Sequence, residues 1–277
     1  MTLTVILALL ALAGDAALCA ALWLNASPWM AFWGLAIGPG LFLALFILWL
    51  LIITLWGKSL NTKKHVEGYH GLYYWIVVQT DFLVMRLLRV KTILRGGEKL
   101  PKEGKIVFVN NHISNFDQMA MLAVCPDPLI CISKPENFSF PIAGPMIHHA
   151  GFIPINRDNA KEGVKAIYQA VGLLEQETAN IEICPEGTRN KTENPLLPFH
   201  PGSFRVATLS KAPLAICCLK NTQFVHKRAP WRKTIVYVDV LEVLYYDDYK
   251  DKSTHELAEY ASNLILQDLR QRERVLY

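Results

Sequence analysis

The chain has 277 residues, 52% of them hydrophobic, with 28 Lys and Arg against 24 Asp and Glu. That length suits one sizeable domain, but a mean hydropathy of +0.22 is too apolar for an ordinary soluble one. A net charge of +4 is weak support for nucleic-acid binding, and no nucleic acid is expected as a partner.

The apolar excess is localised. Asp15 is the only charged side chain between Met1 and Trp56, so the 28 bases and 23 remaining acids, net +5, all follow. Thr2 to Leu24 is one apolar run, Asn25-Ala26-Ser27-Pro28 is a turn signal, and Trp29 to Trp56 is a second run followed by Lys58, Lys63 and Lys64. Each run exceeds the roughly 20 residues that cross about 30 Å of hydrocarbon. Residues 1–57 are therefore expected to form a membrane region of two hydrophobic helices. A cleaved signal peptide is the alternative for the first run, but it lacks a basic start, and the second run would remain as an anchor. The lysines after Trp56 put that end in the cytoplasm, and two spans return the N-terminus to the same side. Asp15 is costly at mid-membrane, and Gly38-Pro39-Gly40 is expected to kink or break the second helix. Whether both helices cross or one or both dip in stays open.

Residues 58–96 read as an interfacial helical linker. Between Tyr69 and Ile93, apolar residues such as Leu72, Trp75 and Phe82 alternate with Arg86, Arg89 and Lys91, which suits a helix lying among lipid head groups; a core helix of the body fits equally well. Beyond Gly96-Gly97 short apolar strands alternate with helices. Strands are expected at Ile106–Val109, Leu129–Ile132, Phe152–Ile155, Ile181–Cys184, Leu214–Cys218 and Thr234–Val240, and helices near Asn115–Val124, Lys161–Gln176, Ser203–Leu209 and Thr254–Arg272. This alternation gives an α/β domain over residues 97–277, a mostly parallel or mixed sheet flanked by helices, with reactive loops at strand ends. Six cysteines without C-x-x-C spacing, set among Val, Ile, Leu and Ala, read as reduced and structural.

The strand Ile106–Val109 runs directly into Asn110-Asn111-His112-Ile113-Ser114-Asn115-Phe116-Asp117. On a continuous helix, residues five apart lie about 140° apart and do not meet. A loop-to-helix junction removes that obstacle. Ser114 can cap the helix, Asp117 falls three residues later as in a capping box, and His112 can fold back over the first turn. Asp117 then fixes the imidazole tautomer while the other ring nitrogen acts as a general base. Taken alone, a His-x4-Asp pattern is more often a helix cap beside a loop histidine. Two further segments change the weighing, Gly151-Phe152-Ile153-Pro154-Ile155-Asn156-Arg157 and Cys184-Pro185-Glu186-Gly187-Thr188-Arg189, each carrying charge just beyond a strand. Arg157 and Arg189 can fork onto phosphate oxygens, and Gly187 lets backbone approach a ligand. Glu186 either orients Arg189 or is a surface carboxylate.

These segments resemble the blocks of the glycerolipid acyltransferases, in particular the bacterial 1-acylglycerol-3-phosphate acyltransferases. N-H-x-S-x-x-D matches Asn111 to Asp117, G-x-I-x-I-x-R matches Gly151 to Arg157, and P-E-G-T-R matches Pro185 to Arg189. Ala212-Pro213-Leu214-Ala215-Ile216 is similar to a weaker fourth block, and the likeness covers about Gly97 to Val240. The chain departs from the common pattern at Pro135, Cys184 and His200. The resemblance implies an enzyme of phospholipid biosynthesis in the bacterial inner membrane, with its catalytic domain on the cytoplasmic side. It would move a fatty acyl group from coenzyme A or acyl carrier protein to the 2-hydroxyl of lysophosphatidate, beside membrane lipid and without a cofactor or metal. It also implies His112 as base and Asp117 as its orienter. Asn111, Ser114, Lys134, Arg157, Glu186, Gly187, Thr188 and Arg189 are the implied substrate-binding residues. Another lysolipid or glycerol 3-phosphate is the alternative acceptor. A hydrolase with Ser114 as nucleophile lacks a G-x-S-x-G elbow, and a non-catalytic lipid-binding protein would have no use for an intact His112–Asp117 pair. His148 and His149 lack the spaced partners of a zinc site.

Overall fold

The computed structural model describes residues 2–23, 29–62, 66, 68–126, 128–156 and 159–273. The chain opens with α1 (Leu3–Trp23) and α2 (Trp29–Ser59), followed by α3 (Gly71–Leu87) and β1 (Val90–Arg95). The first half of the domain follows as β2 (Val107–Asn110), α4 (Asp117–Val124), β3 (Leu129–Ser133), α5 (Ala143–His149), β4 (Ile153–Pro154) and α6 (Ala160–Glu175). The second half is β5 (Asn180–Ile183), α7 (Arg205–Ser210), β6 (Leu214–Lys220), α8 (Val225–Arg228), β7 (Thr234–Leu244), α9 (Tyr246–Tyr249) and α10 (Thr254–Glu273).

α1 and α2 pack against each other, and Asp15 of α1 lies so close to α2 that a Cβ on Gly38 would stand 3.3 Å from its Oδ2. The expected break at Gly38-Pro39-Gly40 does not occur, for α2 runs on with Pro39 inside it. In a stretch with no other polar side chains to pair with, a helix remains the only local way to satisfy backbone groups, and one missing donor does not outweigh that. Among the described residues Ile37–Ser59 is long and apolar enough to cross a membrane, whereas Leu3–Leu18 is shorter. The turn at Asn25–Pro28 and the basic residues Lys63 and Lys64 lie outside the described residues.

The expected linker 58–96 is corrected in two respects. α3 ends at Leu87 and the chain reverses at Arg89, whose φ is 56°; Val90–Arg95 is then the first strand of the sheet, paired in parallel with β7 from Val90↔Thr234 to Arg95↔Asp239. A run of β-branched Val90, Thr92 and Ile93 alternating with bases fits a period of two as well as a helix. α3 itself belongs to the core. Tyr74, Val78 and Met85 join the main apolar cluster, and the Tyr74 hydroxyl accepts the Leu129 N–H at 2.9 Å. Its other flank receives the hairpin: Leu83 packs with Leu3 and Leu7, and Ile76 with Ile53 and Met146. Polar ties pin the joint, Leu3 N to Gln79 Oε1 and Trp49 Nε1 to Thr80 Oγ1, each 3.0 Å.

The sheet has seven strands in the order β1-β7-β6-β2-β5-β3-β4. All neighbours are parallel except β6 and β7, so the sheet is mixed, and β2 lies in its middle. The six strands expected beyond residue 97 all form, with ends shifted by at most four residues. Cys217 neighbours Cys125 at the end of α4 whereas Cys218 neighbours Asp268 of α10. Successive strand residues face opposite sides, so helices cover both faces. Cys131, Cys184, Cys217 and Cys218 are free and buried, as small core hydrophobes are.

Asp81 of α3 is the acid least served by this packing. It is 6% exposed, neither carboxylate oxygen has a hydrogen-bond partner among the described residues, and burial pushes its carboxyl well above the usual range. A raised folded-state value means that stability is complete below the unfolded value of about 3.9 and is lost as pH rises toward the folded one. Asp81→Asn is therefore expected to match wild type near pH 4 and to unfold several degrees higher by pH 8, roughly the effect of 1–2 kcal/mol in a chain of this size. Melting in neutral detergent checks it; a pH-independent difference would contradict the assignment.

Candidate active site

Four parallel strands, β2, β5, β3 and β4, lie side by side, so the segments that follow them emerge at one edge of the sheet. His112 follows β2, Lys134 follows β3, and Gly187-Thr188-Arg189 follow β5. Arg157, expected beyond β4, lies outside the described residues.

The loop carrying His112 is clamped from both neighbours. Asn111, fully buried, donates its amide to Leu219 O at 3.1 Å and accepts from Leu219 N at 2.7 Å. A side chain thus continues the β2–β6 ladder at the point where the main chain leaves it. On the β5 side, His112 N–H donates to Glu186 Oε1 at 2.5 Å and His112 O accepts from Asn190 N at 2.7 Å. The other Glu186 oxygen accepts from Leu197 N at 2.9 Å. Burial pushes the Glu186 carboxyl up, and its bonds to His112 and Leu197 oppose that shift.

Asp117, the first residue of α4, is fully buried and accepts four donors. Oδ2 receives His112 Nδ1 at 2.8 Å, Ile113 N at 2.7 Å and Ser114 N at 2.8 Å. Oδ1 receives the buried Thr222 hydroxyl at 2.5 Å. An oxygen already accepting two backbone N–H groups has no proton to offer, so Nδ1 carries the hydrogen and Nε2 keeps its lone pair. The His112 side chain is 22% exposed, which leaves that nitrogen reachable. The five-residue separation closes because Ile113 to Phe116 form a turn ahead of the helix.

Several expectations are revised by this geometry. Ser114 does not cap α4, whose N-cap position is Phe116 without a side-chain bond; the Ser114 hydroxyl accepts from Phe116 N at 3.2 Å. Only the returning half of the capping box forms, with Asp117 on the Ser114 N–H. Glu186, 3% exposed, is neither a surface carboxylate nor bonded to Arg189 among the described residues. Asn111, Ser114 and Glu186, expected to touch substrate, are buried, and Asn111 and Glu186 bond backbone groups of Leu219, His112 and Leu197 that shape the loop. Gly187 turns at φ 75°, where a side chain would strain the backbone; Thr188 and Lys134 are exposed and Arg189 half-exposed. Below the loop Glu182 is fully buried on β5 and takes the Cys184 thiol at 3.4 Å, with Cys131 and Asn110 beside it; burial pushes its carboxyl up. His148 and His149 stack their rings on one another and on Phe138 and Tyr73.

Thr222 has no signal in the sequence. It stands 105 positions from Asp117 and is reached only because β6 returns beside β2.

Residues 91–220 match the Acyltransferase family model. That span starts within β1. The 1-acyl-sn-glycerol-3-phosphate acyltransferase of Salmonella typhimurium is 25% identical over 166 residues, 60% of this chain and 67% of that one. The mouse 1-acyl-sn-glycerol-3-phosphate acyltransferase alpha is 28% identical over 148 residues, 53% of this chain and 52% of its own. The crystal structure of the 1-acyl-sn-glycerophosphate acyltransferase from Thermotoga maritima superposes with a TM-score of 0.56 at 19% identity, covering 80% of this chain and 95% of that one. The two share the fold.

Removing the Thr222 hydroxyl leaves Asp117 Oδ1 buried without a donor, and hydrogen bonds to charged groups contribute about 1.5–3 kcal/mol. Thr222→Val is expected to lower kcat of acyl transfer about tenfold or more with KM little changed, and Thr222→Ser to recover most of it. Equal loss in both variants would reduce Thr222 to a packing residue.

Proposed function

We propose that this protein transfers a fatty acyl group from a thioester to the 2-hydroxyl of 1-acylglycerol 3-phosphate, forming phosphatidate. The observation that carries this reading is the 2.8 Å bond between His112 Nδ1 and buried Asp117 on a partly exposed ring. It fits a general base aimed at an alcohol. The match to the Acyltransferase family model and the names of both relatives support the acceptor.

In the proposed reaction the lysophosphatidate 2-hydroxyl gives its proton to His112 Nε2 as its oxygen attacks the thioester carbonyl. The resulting oxyanion is held by nearby donors, collapses to the new ester, and expels the thiol, which takes the proton back from the imidazolium. Coenzyme A or acyl carrier protein is the thioester carrier, and no cofactor enters the steps. Arg189, which has no ion-pair partner among the described residues, and Arg157 grip the acceptor phosphate, with Lys134 and Thr188 at the same sheet edge. The apolar surface of α1 and α2, including Leu9, Leu12, Ile47 and Leu55 at 51–62% exposed, supports seating in a membrane. Lys58 at the end of α2 supports a cytoplasmic face for the domain.

The test is purified protein with a labelled acyl thioester and a panel of lysolipids. Labelled phosphatidate is expected as the main product; acylation of another lysolipid in preference would move the reading to that acceptor. Arg189→Lys should lower kcat/KM for lysophosphatidate roughly 10- to 150-fold, since a point charge does not replace a fork. Slow hydrolysis of the thioester, which needs no phosphate, should be nearly unchanged. A parallel fall in both would place Arg189 in the scaffold.

A further inference from the structure

Away from the His112 site, the end of α3, the start of β1 and the loop before β7 border an open surface cavity of about 500 Å³. Arg86, Arg89, Lys91 and Lys233 line it, with Phe82 and Met85 on its apolar side, and no Asp or Glu is among the lining residues. None of the four cations forms an ion pair among the described residues, so no described acid pairs with this concentration of positive charge. Thr2 and Thr4, where α1 begins, complete the rim. The cavity therefore sits where the apolar hairpin joins the body.

The loop beside it has the same chemistry. His226-Lys227-Arg228-Ala229-Pro230-Trp231-Arg232-Lys233 puts four Lys and Arg around a Trp that is 84% exposed. This loop is fixed to the cavity wall, for Arg89 Nη1 donates to Trp231 O at 3.0 Å and Thr234 N donates to Arg89 O at 3.1 Å. An exposed indole among cations suits the head-group layer of a bilayer.

We infer that this cavity binds the head group of an anionic phospholipid, distinct from the acceptor, and so sets the catalytic edge against the membrane. The cations take the phosphate, Phe82 and Met85 border the start of the acyl chains, and Trp231 enters the interface beside it. Free phosphate would use only half of this surface. A zwitterionic head group would bring its own cation to a site that already holds four.

The experiment is native mass spectrometry of the full chain in neutral detergent, titrated with short-chain phosphatidylglycerol, short-chain phosphatidylcholine or inorganic phosphate. Wild type is expected to retain one phosphatidylglycerol at least about tenfold more strongly than either alternative. Each cation near a lipid phosphate contributes roughly fivefold, so Arg86→Gln with Lys91→Gln should weaken retention about 25-fold. These two side chains make no hydrogen bond recorded among the described residues, so the pair tests the site without touching the Arg89 tie; circular dichroism and thioester hydrolysis should match wild type. Undiminished retention by the double variant, or equal retention of phosphatidylcholine or phosphate by wild type, would overturn the inference. His112→Ala protein should bind phosphatidylglycerol as wild type does, so a failure of the proposed reaction leaves this result standing.

Discussion

The buried carboxylate of Asp117 is the point on which the site depends. It gathers a ring nitrogen, two backbone amides and a hydroxyl from two distant stretches of chain. A charge with no solvent needs such a set of donors, because leaving it unpaired in the interior would cost several kcal/mol. The same bonds define the turn from β2 into α4 and the orientation of His112. The local fold and the orientation of His112 are therefore one constraint.

Sheet topology makes this possible. β2 has β5 on one side and β6 on the other, and each contributes a clamp at its C-terminal end: Glu186 and Asn190 from the β5 loop, Leu219 and Thr222 from the end of β6. The crevice outside the carboxyl ends of parallel strands is where α/β sheets place their ligands. Burial of Glu186 and Glu182 near this edge opposes their ionisation, and in Glu186 two backbone donors offset part of that cost. The charged side chains of Lys134 and Arg189 at this edge stay in contact with solvent.

The parts legible in the sequence were those with short-range causes. Apolar runs bounded by turns located six strands and four helices beyond residue 97, and the junction geometry brought His112 and Asp117 together. β1 was hidden because an apolar stretch interleaved with bases satisfies both periods until its partner, β7, is known. The duties of Asn111, Glu186 and Thr222 were hidden for a related reason, since each partner lies 74 to 108 positions away. Such pairings exist only after the register of β5 and β6 against β2 is set. A polar residue in a matching block thus looks like a substrate contact when it is a brace.

The most direct measurement is single-turnover transfer of a radiolabelled acyl group to lysophosphatidate by His112→Ala and Asp117→Asn proteins, with acceptor binding measured alongside. General-base catalysis supplies about 100- to 10,000-fold, so His112→Ala should fall by that factor with acceptor affinity retained, and Asp117→Asn should be severely impaired. Transfer by His112→Ala within a few-fold of wild type would contradict the account.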